Sequence, residues 1–310
     1  MTPNEKPSRS AEGVLTVLQL PGIGPKTADL LCRTYATLDQ VKDRAAHDRV
    51  DGVSNRALIG LGDEAHWTQA GDRARRVMEQ AAKLGVRIVT AFDEDYPPLL
   101  RPLSDRPLVL YVKGTLRSGL NNVACIGTRD PSVFGTEVTR RLVPFLAEQG
   151  WGIISGLAKG IDAESHRAAL DVNGYTVAIL ANGLDKVYPS ENRELADEIV
   201  AKGGALVSEQ PFGIPAKPMN LVQRDRLQSG MSVATIVMQT DVVGGSMHTV
   251  RFTLSQGRFL VAPVPTGKHA QDIKSQGLIA LTEQTGTALA DLLKANGDYR
   301  DVLLRRYANR

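Results

Sequence analysis

The sequence predicts an α/β protein: an extended Rossmann-like, doubly wound parallel sheet with a helical N-terminal domain built on a helix-hairpin-helix (SAM-like) turn. Three observations carry that prediction. From Asn122 onward six apolar runs, VACIG, WGIIS, TVAIL, ALVSE, VATIVM and FLVAPV, alternate with amphipathic stretches of helical period. Parallel strands need long crossover connections, and these are usually helices. Upstream of Leu84 the apolar spacing is mainly helical, and the 310-residue length leaves room for about two domains.

In chain order, a helical pattern begins at Glu12 with Val14, Leu15, Val17 and Leu18 and stops at Pro21-Gly22. Further short helical patterns follow, of which Asp63 to Leu84 is the longest, with Ala70, Val77, Ala81 and Leu84 on one side. Two β-like runs, VRIVT and LVLYV, flank the Pro-rich segment at Tyr96-Pro97-Pro98. The expected division is a helical domain over 1–85, a sheet domain over 86–268 and a helical tail over 269–310. The tail has two helical stretches, Leu278 to Lys294 and a basic one from Tyr299 to Tyr307.

Composition narrows the function classes. Lys and Arg number 37 against 34 Asp and Glu, so a formal charge of +3 gives no bulk field for coating nucleic acid, and any anion site must be local. Two cysteines, Cys32 and Cys125, are too few for a disulfide framework or a thiolate zinc site, and a cytoplasmic protein is expected. No apolar run approaches the roughly 20 residues that span a bilayer, and the polar start MTPNEKPSRS lacks the apolar core of a secretion signal.

Candidate binding residues cluster at turns. Leu20 to Ala28 has the helix-hairpin-helix form, in which Gly22 and Gly24 let backbone N–H groups approach a phosphate, Ile23 plugs the space between helices and Lys26 supplies a cation. The same turn also serves as a plain helix connector. Ligands of a doubly wound sheet lie beyond the carboxyl ends of its strands, at helix N-termini. There the chain places Gly127-Thr128-Arg129, then Ser155-Gly156 with Lys159-Gly160, then the loop Asn182 to Pro189. Arg224-Asp225-Arg226 falls within the stretch before the fifth run, and Gly244 to Thr249, including Gly245 and Ser246, follows it. Arg224 and Arg226 stand two apart and cannot share a helix face, so one is expected at the ligand and the other in a salt bridge. Asp162 and His166, four apart, read best as a first-turn carboxylate and a structural histidine. Together the loops describe a long anionic groove. No Walker A loop, carboxylate dyad or paired nucleophile accompanies it, so binding without turnover, cofactor or metal is expected.

These motifs in combination resemble the DprA/Smf family of DNA-processing proteins. The resemblance begins at LPGIGPKTA, continues through FDEDYPPLLRPLSDRPLVLYVKG and is dense from CIGTRDPSVFG to VAPVP. It implies an extended Rossmann fold that dimerises, binds single-stranded DNA without sequence preference and loads a RecA-type recombinase during natural transformation. The implied DNA contacts are Arg129, the SGLAKG loop with Lys159, and the region of Arg224 and Arg226. Two departures stand out: Asp225 occupies the middle of a pattern usually reading Arg-Asn-Arg, and Met238 to Asp241 replaces a more usual Glu-Ala. A nucleotide-sensing or nucleotide-processing protein on the same scaffold, in bacterial defence for example, is the alternative reading. Against hydrolysis, His248 and Thr249 stand where such enzymes carry a glutamate after the Gly244-Gly245 turn.

Overall fold

The computed structural model describes residues 7–285 apart from 46–47, 49, 51–52, 118, 120 and 243. The chain forms two compact units, Met1–Tyr96 with Ser104–Val112, and Pro97–Leu103 with Lys113–Arg310.

The first unit holds α1 (Ala11–Gln19), α2 (Pro25–Thr34), α3 (Leu38–Arg44), α4 (Asn55–Leu61), α5 (Glu64–Lys83) and β1 (Val86–Thr90), with β2 (Val109–Gly114) beginning in it. Side chains at the starts of these helices explain their positions. Ser10, Thr37, Ser54 and Asp63 each accept a hydrogen bond from a first-turn N–H of α1, α3, α4 and α5. α2 instead begins with Pro25, which has no N–H to leave unsatisfied. The hairpin between α1 and α2 has the predicted form, with Ile23 and Ala28 buried while Gly22, Gly24 and Lys26 are exposed. Whereas the sequence pattern puts the boundary near residue 85, this unit also takes in β1 and most of β2.

The second unit contains β3 (Asn122–Gly127), α6 (Val133–Glu148), β4 (Gly152–Ser155), α7 (Ile161–Asp171), β5 (Thr176–Ile179) and α8 (Arg193–Ala201). It continues with β6 (Ala205–Ser208), α9 (Pro218–Gly230), β7 (Ala234–Gln239), α10 (Ser246–Ser255), β8 (Phe259–Val261) and α11 (Gln276–Thr285). Its strands run in the order β6-β5-β4-β3-β7-β8, and every pairing among them is parallel. The six apolar runs are therefore the six strands. Alternate residues feed opposite faces. Cys125, Ile236 and Met238 join Leu142, Trp151 and Ile153 in one core, and Ile126 and Val237 join Val250 and Leu260 in the other. Leu278 and Leu281 of α11 also lie in that second core, so the start of the expected tail belongs to the sheet unit. The second tail helix, 299–307, lies outside the described residues.

The topology fixes where a ligand can sit. From β3 the chain winds through β4 and β5 to β6, and then returns to the far side of β3 as β7 and β8. The winding direction reverses at β3, and the crevice beyond the carboxyl end of such a reversal is the usual binding position. The β3–β7 register also shifts between Ile126 and Gly127, beyond which Gly127 pairs with Gln239.

Candidate nucleic-acid interface

A cleft of about 470 Å³ opens at this reversal. Gly127, Thr128 and Arg129 line it after β3, Ala158 and Asp162 after β4, and Thr240, Asp241, Gly244, Gly245, Ser246, His248 and Thr249 after β7, with one stripe of α9 as the remaining wall. The sequence-predicted Gly127, Thr128, Arg129, Arg224, Gly245, Ser246 and Thr249 are thus brought together. Arg129 is exposed. Its loop is tied down from β7: Thr128 N donates to Gln239 O at 2.8 Å, and the Gln239 side chain accepts from Ser132 N at 2.9 Å and donates to Ser132 Oγ at 2.7 Å. The first turn of α10 also lines the cleft, and the positive end of its dipole favours an anion, while Met247 N and His248 N already donate to Gly244 O and Gly245 O.

The SGLAKG loop is a structural clasp. Ser155 is buried and donates to Cys125 O at 2.6 Å. Asp162 Oδ2 accepts from Gly156 N at 3.1 Å and Ala158 N at 3.3 Å, so the carboxylate wraps the loop around itself. Gly160 has φ +77°, and a Cβ there would stand 2.5 Å from Thr128 O, which only glycine avoids. Lys159 is exposed but does not line the cleft, and its ammonium pairs with Glu191 at 2.5 Å.

Arg224 lines the cleft yet is only 5% exposed. Its Nη1 donates to Gly156 O at 2.5 Å and Ile179 O at 2.6 Å, and its Nε donates to Asp225 Oδ1 at 3.1 Å. This arginine therefore holds the carboxyl ends of β4 and β5 together, where the sequence assigns it a DNA contact. Gly156 makes that possible, because a Cβ would lie 1.9 Å from Nη1. Arg226 does not line the cleft and donates to Glu209 at 2.5 Å, the salt bridge expected of one of the pair. The loop Asn182 to Pro189, counted among the converging turns, is likewise not part of the cleft wall. Gly22, Gly24 and Lys26 belong to the other unit.

Burial governs the ionisation of this floor. It pushes the Asp225 carboxyl up to about 6, against the pull of Arg224 and with the help of Asp162. It raises the Asp162 carboxyl as well, opposed by Arg224 and by the Ala158 and Gly156 N–H groups. Burial also lowers His166 to about 3, aided by Arg224 and Arg167, so this residue is a neutral core histidine. Its Nδ1 meets Thr176 Oγ1 at 2.7 Å, and that hydroxyl donates to Ile153 O. The sequence reading missed Gln228, although its place four residues after Arg224 and three after Asp225 puts it on the same side of α9. Among the described residues no group of three or more His, Cys, Asp or Glu is placed to hold a metal, and no helix is long and apolar enough to cross a membrane.

A doubly wound parallel sheet of Rossmann-like form with a cleft at its reversal point, accompanied by a helical N-terminal unit, defines the class of protein. Within it, the chain belongs to the family described as DNA recombination-mediator protein A, whose model matches residues 87–295. It is 38% identical over 202 residues to Protein Smf of Escherichia coli K12, covering 63% of this chain and 54% of that one. To the DNA processing protein DprA of Bacillus subtilis it is 36% identical over 189 residues, covering 60% and 63%. The chain thus matches between about half and two thirds of the length of these relatives. The solved structure of DprA from Streptococcus pneumoniae superposes with a TM-score of 0.66 at 24% identity, over 93% of this chain and 94% of that one. DNA processing protein A from Helicobacter pylori, whose structure describes a single-stranded DNA binding mode, superposes with a TM-score of 0.59 at 25% identity, over 72% and 96%.

Proposed function

We propose that this chain binds single-stranded DNA in the cleft at the β3–β7 reversal. On this reading it acts as a recombination mediator, presenting the strand to a RecA-type recombinase, as a cytoplasmic homodimer that binds without turnover. The observation that carries the reading is Arg129, an exposed guanidinium on a loop braced by Gln239, lining the same cleft as the first turn of α10. A guanidinium and the positive end of a helix dipole lining one cleft favour a phosphate there. The affinity of the Helicobacter pylori relative for single strands supports the same chemistry. An isolated strand can bend into such a sheet-edge cleft, whereas a duplex cannot, and few phosphates are engaged because few cations are available.

Fluorescence anisotropy with single-stranded and duplex oligonucleotides of equal length, at matched salt, tests the proposal. Tighter single-strand binding is expected, with a shallow salt dependence and a loss of about 10- to 100-fold in Arg129→Ala. Equal or tighter duplex binding overturns it.

A further inference from the structure

The chain beyond β8 returns to the loop that carries Arg129. This loop, 128–132, joins the end of β3 to α6, and Gln239 at the end of β7 holds it at Thr128 N and at Ser132 N. Gln239 is fully buried, and its Nε2 also donates to Ser275 Oγ at 3.1 Å. Ser275 closes the short turn Ile273–Ser275 ahead of α11 and is fully buried as well. One side-chain amide thus joins the Arg129 loop to a segment that lies far along the chain. Two more contacts fasten that segment. Lys274 Nζ donates to Asp130 Oδ2 at 2.6 Å, across 144 residues of sequence. Gly277 N donates to Thr240 O at 3.0 Å, and a Cβ on Gly277 would stand 2.4 Å from Asp241 O, so the chain lies directly against the end of β7. Asp130 follows Arg129 in the sequence, and its side chain is 87% exposed. Left unpaired, this carboxylate would repel phosphate and compete for the donors of the guanidinium. Neither Lys274 nor Ser275 lines the cleft, so phosphate binding alone accounts for neither.

We propose that Lys274 and Ser275 are positioning residues for the DNA cleft, forming a latch on the Arg129 loop from outside it. Ser275, through the Gln239 amide, fixes the Ser132 end of the loop. Lys274 holds the Asp130 carboxylate off the neighbouring guanidinium, and so acts on Asp130 and not on phosphate. The inference rests on the cleft being the DNA groove, and it adds a control point beyond that groove. Latch and strand favour the same loop position, so each strengthens the other by one shared factor. Bound DNA holds residues 272–277 in place, and any contact that draws this segment away weakens DNA binding.

The test uses the full chain and thymine-only strands at matched low salt, with binding followed by anisotropy. Lys274→Ala should weaken binding about three- to fivefold, the scale of an exposed ion pair. Asp130→Asn should recover that loss when Lys274 is absent, yet change affinity by less than about twofold when Lys274 is present. Ser275→Ala should weaken binding about threefold, and should have no effect in an Arg129→Ala background, because it acts only through Arg129. An equal gain from Asp130→Asn in both backgrounds overturns the latch and makes Lys274 one more local charge. An equal loss from Ser275→Ala with and without Arg129 overturns it too, as does unchanged affinity in both single variants; the DNA reading survives all three results. If no strand binds, the DNA reading fails, and hydrogen exchange of the free protein decides the latch. Faster exchange at Thr128 and Ser132 in Ser275→Ala, by about threefold or more, retains it as a brace on the loop, and unchanged exchange overturns it.

Discussion

Replacing Asp225 with Asn should stabilise the protein at neutral pH by an amount that vanishes in acid. Desolvation holds this carboxyl at about 6 in the fold against an ordinary 3.8, so the folded state prefers the neutral form. At about 1.4 kcal/mol per pH unit that gap corresponds to at most about 3 kcal/mol of destabilisation by the ionised carboxylate at pH 7. The amide is a neutral substitute, and both hydrogen bonds to Asp225 end on Oδ1, an acceptor that asparagine retains. Arg224 keeps the neighbouring Asp162 as a counter-charge. A group whose pKa is raised in the fold gives its full stabilisation below the unfolded value of 3.8 and loses it as pH rises through about 6. His166 acts in the opposite sense: held near 3 against an ordinary 6.5, it makes the fold lose stability as pH falls from 6.5 toward 3. Between about pH 4 and 6 the two slopes offset one another in the natural protein. In Asp225→Asn the offset from this carboxyl is gone, and stability falls more steeply as pH drops through this range, along the histidine slope of at most about 1.4 kcal/mol per pH unit less the opposing contribution of Asp162, whose carboxyl burial also raises. Urea unfolding of both proteins from pH 4 to 7.5 reads this directly. A variant less stable at pH 7, or a stability difference that does not change with pH, would refute the electrostatic account and make Asp225 a structural partner of Arg224. The same variant should bind thymine-only strands more tightly, since a carboxylate beside the groove repels phosphate.

Other substitutions separate binding residues from scaffold residues. Arg129→Ala should lower single-strand affinity by about 10- to 100-fold with an unchanged thermal melt, and an unchanged affinity would remove Arg129 from the site. Lys159→Ala should lose less, roughly two- to fivefold, because its ammonium is already shared with Glu191. Glu191→Gln should correspondingly raise affinity, and a fall instead would show that the pair shapes the loop. Gly156→Ala should destabilise the sheet unit by about 3–5 kcal/mol in denaturant unfolding, because the new Cβ displaces a buried arginine. A change below about 1 kcal/mol would mean that Arg224 is not the clasp described above.

The sequence by itself determined the layering. Apolar runs of strand length separated by helical periods admit a parallel sheet with crossover helices, and that topology directs ligands to the carboxyl edge, where Gly127 to Arg129 and Gly245 to Thr249 do meet. It also marked the Ile23 plug of the hairpin, which depends on residues close to one another in the chain. Tertiary structure decided which charges are available. Arg224 and Arg129 look alike in a sequence, but one is committed to carbonyls of Gly156 and Ile179, 68 and 45 residues away, while the other is exposed. Lys159 finds Glu191, and Leu278 of the tail finds the core around Val237. The physical reason is that element type follows from short-range periodicity, whereas burial, and with it the charge state of Asp225 and His166, follows from which distant backbone groups close over a side chain when the sheet assembles.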